Sequence, residues 1–478
     1  MMSRWTSQRS HLAGVISTAC VGCSLSPDIL VGYNLGGYGY GKGGATASVD
    51  ASAGGTLASS AGTGGNSAGT GATITGTGGT SPATSGSCSN GGPDIQLDPI
   101  GGCTTDLARN AFHFAICTCS DLVSTNRIAT DAFDSRTTGS VENAGSIGIN
   151  GSYKAEDVAS QLGGSLWVMG ETKFGNHDIA GDLNCAQSLS VTMDSRVHEN
   201  AAVVGPLDAP TLTIDGTLTA LSGTSPNVGS ARAGTNYVNS LTIAMPCNCQ
   251  APIDIATIVD FFRTTNDNAS QLLAPSTLSA AEGNVERTLA CGRYYLDSLG
   301  GTGSITLHLT GKTVLAVGSD ISNSGGLVFD LDTGAELDLF VNGNLELSGD
   351  VTLGDPNHPA STRIYITGQA AFSATVALYA NLYIPNQPLV ISAPSEVWGA
   401  IFAQSIQSSG GLTVHYDQSI LDLPSCTASG QGCKTPEDCA NPTPACRNGT
   451  CATCLGDGDC SPPLFCNQGL CRFQAIVL

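Results

Sequence analysis

Two acidic pairs carry a spacing that sugar chemistry uses. Asp330 with Asp332, and Glu336 with Asp338, stand two residues apart, and on a strand alternate side chains project from one face. Carboxylates so placed could bind calcium or act as acid and base on a glycosidic bond. Such chemistry also wants a basic partner, and Lys312 and Arg363 are the only Lys or Arg between Leu299 and Pro424. Neither lies in a hydrolase or lyase motif, so both pairs read first as outward-facing, solvated carboxylates. His177 and His198 are 21 residues apart, about one coil of a solenoid, a spacing at which they would stack; metal ligation is not the expected role for them. No Ser nucleophile elbow, phosphate loop or dinucleotide fingerprint occurs. The sequence therefore assigns no catalytic, cofactor-binding or metal-binding residue, and calcium at the acidic strands is the one ion left open.

The cysteines are the other reactive set. Nineteen of them suit disulfides in an oxidising compartment and would be a liability in a reducing one. In the tail, Cys433, Cys439, Cys446 and Cys451 are followed by Cys454, Cys460, Cys466 and Cys471 at nearly the same spacing, an internal duplication. With Pro436, Pro442, Pro444, Pro462 and Pro463 between them, so small a module depends on disulfides for its stability, in a pairing that spacing leaves open. Cys451 and Cys454 have zinc-knuckle spacing, the competing reading. Upstream, Cys117 with Cys119 and Cys247 with Cys249 could unite as a four-thiolate metal site. Disulfides are the stronger reading there too: with Cys88, Cys103, Cys185 and Cys291 these make eight cysteines, enough for four bridges, leaving Cys426 as the odd one.

The elements that would position these groups are short strands. Charged residues make up 12% and aromatics 5% of the 478 residues, with 61 Gly, a profile of strands and turns. Leu166–Gly170, Leu189–Met193, Leu212–Gly216, Leu337–Val341, Leu345–Leu347, Ile364–Ile366 and Val397–Ile401 recur irregularly, bounded by Gly, Asn or Asp. Irregular recurrence over so long a region fits solenoid coils better than the hairpins of a sandwich. The fold class expected is all-β, a right-handed parallel β-helix over residues 93–425 with a helical insertion near 252–273, followed by a disulfide-rich module over 426–478. Ile255, Ile258, Val259 and Phe262 form a helical stripe suited to a sheet face, and Asp106–Cys117 is a weaker helical segment.

Ahead of the β-helix, Arg4 and Arg9 precede an apolar run from Leu12 to Gly22, which reads as a cleavable signal over residues 1–23. Residues 24–92 are dominated by Gly, Ser, Ala and Thr, a flexible linker by composition. The signal ends Val21-Gly22-Cys23, which resembles the lipobox of bacterial lipoproteins, although Cys20 stands where that pattern wants an aliphatic residue. Lipidation of Cys23 would supply the chain's membrane contact; ordinary cleavage would release it. The net charge of −21 argues against nucleic acid as a partner.

Val397-Trp398-Gly399-Ala400-Ile401-Phe402-Ala403 and Val414-His415-Tyr416-Asp417, with Gly148-Ile149-Asn150-Gly151 and Cys117-Thr118-Cys119, resemble an uncharacterised bacterial β-helix domain of predicted pilus-assembly (PilX-like) and myxobacterial surface proteins. The tail is Dickkopf-like in cysteine spacing. These resemblances imply a β-helix at the cell envelope and no defined reaction. The function expected is a non-catalytic cell-surface or secreted structural or adhesion protein, with surface glycans or envelope proteins as partners. A carbohydrate-active β-helix enzyme and a pilus-associated envelope component are the alternatives.

Overall fold

The computed structural model describes Leu97, residues 104–423 apart from 138, 156–158 and 251, and short stretches between 445 and 472. The signal, Cys23, the linker, and Cys88, Cys103, Cys426, Cys433 and Cys439 lie outside the described residues.

Most strands between Ile116 and Asp417 pair in parallel with a strand one coil away, so the chain forms the expected parallel β-helix. Each coil contributes to three sheets. The first holds Ile116–Thr118 and Glu336–Val341, the second Leu122–Ser124 and Leu345–Leu347, and the third Ile128–Asp134 and Gly326–Leu331. Many strands are three residues long with outer residues buried and the middle one exposed, as in Tyr153–Ala155 and His177–Ile179. That is alternation at its shortest, two side chains entering the core for one left outside. Corners are tight: a Cβ on Gly170 would lie 2.6 Å from the backbone of Gly151 one coil away.

Val397 to Ile401 is not one strand. Ser395–Trp398 belongs to the third sheet and Ile401–Ser408 to the first and second, with Gly399 turning the corner at φ 144° against the Ala380 carbonyl. Only glycine takes that conformation without strain.

The coils do not stack in chain order. Ile116–Thr118 lies between Ile147–Ile149 on one side and Ile401–Ser408 on the other. Ile128–Asp134 lies likewise between Ser160–Leu162 and Leu412–Asp417. The rod therefore reads, end to end, residues 285–417 and then 116–238. The coil step is 18 residues where His177 meets Ser195, 22 where His308 meets Asp330 and 24 where Ser322 meets Glu346. Near the junction it falls to 17, from Trp398 to His415, so the wider coils narrow to match the slimmer ones.

This order forces the chain, having finished at 238, to return along the rod to 285. Residues 239–284 form that strap. Cys117–Cys247 and Cys119–Cys249 are disulfides, each spanning 130 residues, and they fasten the strap to the junction coil. The Asn150 amide donates to the Cys247 carbonyl at 2.8 Å and accepts from the Cys247 N–H at 3.1 Å, so Asn150 of the Gly148–Gly151 run reads the strap backbone like a neighbouring strand. The strap continues into a helix, Ile255–Thr264, capped by Asp254, whose carboxylate accepts from the Thr257 N–H. Ile255, Ile258, Val259 and Phe262 are all buried, and the helix packs on the strands Gly292–Leu296, Lys312–Val317 and Glu336–Val341 of the first sheet. The insertion expected over 252–273 thus holds a ten-residue helix, and a 3-10 turn Asn268–Gln271 ends it. The weaker segment Asp106–Cys117 is half helix: Thr104–Ala111 is helical and Ile116 already begins a strand.

In the tail, two antiparallel pairs set Cys446 opposite Cys451 and Cys466 opposite Cys471, the duplication in structural form. Cys454 is bonded to Cys466 and Cys460 is also disulfide-bonded.

Candidate functional site

Glu336 and Asp338 leave the first sheet on its outer side, but that side has a second layer, and they are not solvated. Arg363, fully buried, donates from Nε to Asp338 at 2.6 Å and from Nη2 to both Asp338 and Glu336 at 2.8 Å. Lys312 lies 3.5 Å from Glu336. Burial pushes the Asp338 carboxyl up against the pull of Arg363, while for Glu336 the same push is outweighed by Arg363 and Lys312, which hold it low. The four residues that could have made a sugar-cleaving centre instead neutralise one another, with Arg363 and Asp338 buried and Lys312 and Glu336 left part-exposed at the margin. Beside them runs a ladder of outer-side aromatics: Phe340 stacks on Tyr365 at 4.7 Å, and Tyr383 on Phe402 at 4.8 Å. Period-two alternation gives the face of a strand; it carries no signal for a second layer.

The second acidic pair stays exposed, and only Asp330 is in a strand. It belongs to a bridging unit on the outer side of the third sheet. His308 Nδ1 lies 3.0 Å from Asp330 and Nε2 2.9 Å from Glu286. At the junction His415 repeats the arrangement, 2.8 Å from both Asp131 and Glu396. Carboxylates only accept, so a ring donating at both nitrogens is an imidazolium. The bond to Asp330 raises the pKa of His308 above the usual histidine value. At His415 burial pulls down, and the bonds to Asp131 and Glu396 outweigh it. Trp398 stacks on the His415 ring at 4.0 Å.

Further along the same sheet face lies a groove of about 940 Å³. Arg127, Gln161, Asp178, Asp194, Arg196 and Arg232 are among its lining residues. Gln161, Asp178, Arg196 and Thr213 come from successive coils at one register position, so coil stacking alone aligns them. Arg127 donates to the neutral Gln161 at 2.7 Å. Arg196 and Arg232 share Asp215, at 2.6 and 3.1 Å. The chain has 18 Lys and Arg in all, and three meet here. The groove presents planar donors and acceptors in rows along a rigid surface, the equipment for binding the vicinal hydroxyls or carboxylates of an extended chain.

His177 and His198 do not stack. The local step is 18 residues, so His177 sits opposite Ser195. His177 is buried, with Nε2 2.8 Å from the Tyr153 hydroxyl, and burial lowers its pKa to about 4. His198 is outside, 2.7 Å from Asp178. The four Cys-x-Cys thiols form the two strap disulfides, which leaves no thiolate there for a metal. Cys185 is not bridged: it is a free thiol in the core, pushed by burial up to about 12, a small apolar side chain pointing inward beside Leu183. Cys291 is disulfide-bonded. Among the described residues no group of three or more His, Cys, Asp or Glu is placed to hold a metal, and no helix is long and apolar enough to cross a membrane.

Residues 250–423 match a family described as a domain of unknown function, DUF7305. No curated protein and no solved structure matches the chain. The matched stretch begins in the strap just before its helix and ends after the last coil of 285–417; the coils 116–238, which carry the groove, lie outside it.

Proposed function

We propose that the protein is a non-catalytic surface scaffold, exported and oxidised, that offers the outer side of its third sheet to a surface glycan or an envelope protein. The observation that carries this reading is the groove, where Gln161, Asp178 and Arg196 are aligned by coil stacking and Arg127 reaches Gln161 from the neighbouring coil. Binding on a preformed backbone loses little ordering entropy. The disulfides Cys117–Cys247, Cys119–Cys249 and Cys454–Cys466 support an oxidising location, and with the signal-like segment they favour export. Lipidation at Cys23 would keep the scaffold on a membrane surface, and labelling with a radioactive fatty acid tests it. Association with a pilus is the narrower form, testable by cofractionation with sheared pili.

The carbohydrate-active alternative keeps one point in its favour, Asp178 and Asp194 beside Arg196 in one groove. A glycan array on the full chain, run with and without chelator, and with the same glycans assayed for new reducing or unsaturated ends, separates the readings. Saturable binding that is lost in Arg127→Ala and Gln161→Ala, without product, supports the scaffold. Product formation abolished by Asp178→Asn replaces it with the enzyme.

A further inference from the structure

The two ends of the rod are finished differently. At the 285–301 end, residues 267–281 occupy the strand edge. The Asp267 N–H donates to the Arg293 carbonyl at 2.7 Å and its carboxylate accepts from the Arg293 N–H at 2.9 Å. The Asn268 amide donates to the Tyr295 carbonyl at 2.7 Å and accepts from its N–H at 3.0 Å. The Gly300 N–H donates to Leu278 at 2.9 Å. Side chains and turns thus imitate one more coil.

Among the described residues the other end has no such finish. Asn227–Ala231 and Thr235–Val238 each pair on one side only, with Leu207–Ile214 and Leu218–Leu221, and no strand among the described residues lies beyond them. Val228 and Ala231 continue inward columns and are only half-buried, whereas Ala209 and Ile214 one coil inside are fully buried. Tyr237, which continues the column of the buried Ala220, is 50% exposed. An open β-edge above an open core column invites pairing, which solenoids ordinarily block with a cap.

We propose that this end is an interface between two copies of the chain, stacked end to end about a two-fold axis. Strands related by such an axis run antiparallel, so each edge donor can meet an acceptor of an identical edge, and Val228, Ala231 and Tyr237 of one copy complete the core columns of the other. Charge selects this occupant. Arg232 is the one charged side chain from 222 to 238 in a chain of net charge −21, and it is already paired with Asp215. The end therefore offers two such anions a nearly neutral surface on which to meet. Because the opposite end is closed, the assembly stops at two.

Light scattering coupled to size exclusion on the full chain, from about 1 to 100 µM, should give a mass moving from one chain to two and no further. Val228→Lys with Tyr237→Lys should keep it at one chain with an unchanged circular dichroism spectrum. Hydrogen exchange of the wild-type chain supplies a readout that needs no variant: amides of 227–238 should gain protection on concentration while those of 147–203 do not change. A monomer throughout, growth beyond two chains, or a dimer whose 227–238 amides exchange as freely as in the monomer would overturn the proposal.

Discussion

The coils of 285–417 and those of 116–238 build the same three sheets with different means of support. In the second half the strands of the first sheet reach six residues, and their outer side is apolar and aromatic, covered by the helix Ile255–Thr264 and pinned by Arg363. In the first half the strands are mostly three residues long. The first sheet is still closed on its outer side, where Cys117, Trp167 and Ala202 are buried and Cys117 holds the strap by its disulfide, but the third sheet turns Gln161, Asp178 and Arg196 outward. The groove lies on these narrow coils, and the buried ion cluster on the wide ones.

Removing Arg363 should break this contrast most severely. Arg363→Ala strands two buried carboxylates and should cost about 3–5 kcal/mol, with denaturant unfolding measured beside hydrogen exchange. Residues 312–366 should lose protection first while 147–203 keep theirs; uniform loss would mean the halves do not differ in support. Next come the bridges that tie the strap to the junction. Replacing all four of Cys117, Cys119, Cys247 and Cys249 with Ser should cost about 2–5 kcal/mol, whereas removing either bridge alone should cost a small fraction of that, because both close nearly the same loop. Equal and additive losses would place their effect in local packing.

Acid tests the first half. His177 titrates near 4 when folded and near 6.5 when unfolded, so the unfolded chain takes up the proton first. Stability should fall as pH drops from about 6.5 to about 4, by an amount of order 3 kcal/mol. His177→Gln, which can still bond Tyr153, should flatten that slope. The bridging histidines should show the smallest effect, with the opposite sign. Their folded pKa values are raised, so the stability they add is full below about 6.5 and is lost as pH climbs through the folded values. His308→Gln and His415→Gln should remove that alkaline decline; a decline that persists in the double variant would assign it elsewhere.

Much of this was readable from residue order. The alternating triplets announce strands, Gly bounds them, and the stripe Ile255, Ile258, Val259, Phe262 announces a helix that lies on a sheet. What the residues do not encode locally is the coil length. A step of 18 rather than 21 separates His177 from His198, and steps of 24 and 25 residues are what bring Lys312, Glu336, Asp338 and Arg363 together. Nor does alternation disclose which outer faces are covered, so Glu336 and Asp338 read as solvated. The seating of Leu412–Asp417 on Ile128–Asp134 is a contact across 284 residues that no neighbouring residues announce. The groove was missed for the same reason: Arg127, Gln161, Arg196 and Arg232 share no motif, only a register position or its neighbours.

That seating also decides where the rod can fray. A solenoid loosens from its terminal coils, yet the rod's first and last strands in chain order, Ile116–Thr118 and Leu412–Asp417, sit inside it, each with a neighbour on both sides. The coils at the tips are mid-chain segments, so loosening a tip frees a loop of backbone and never a chain end.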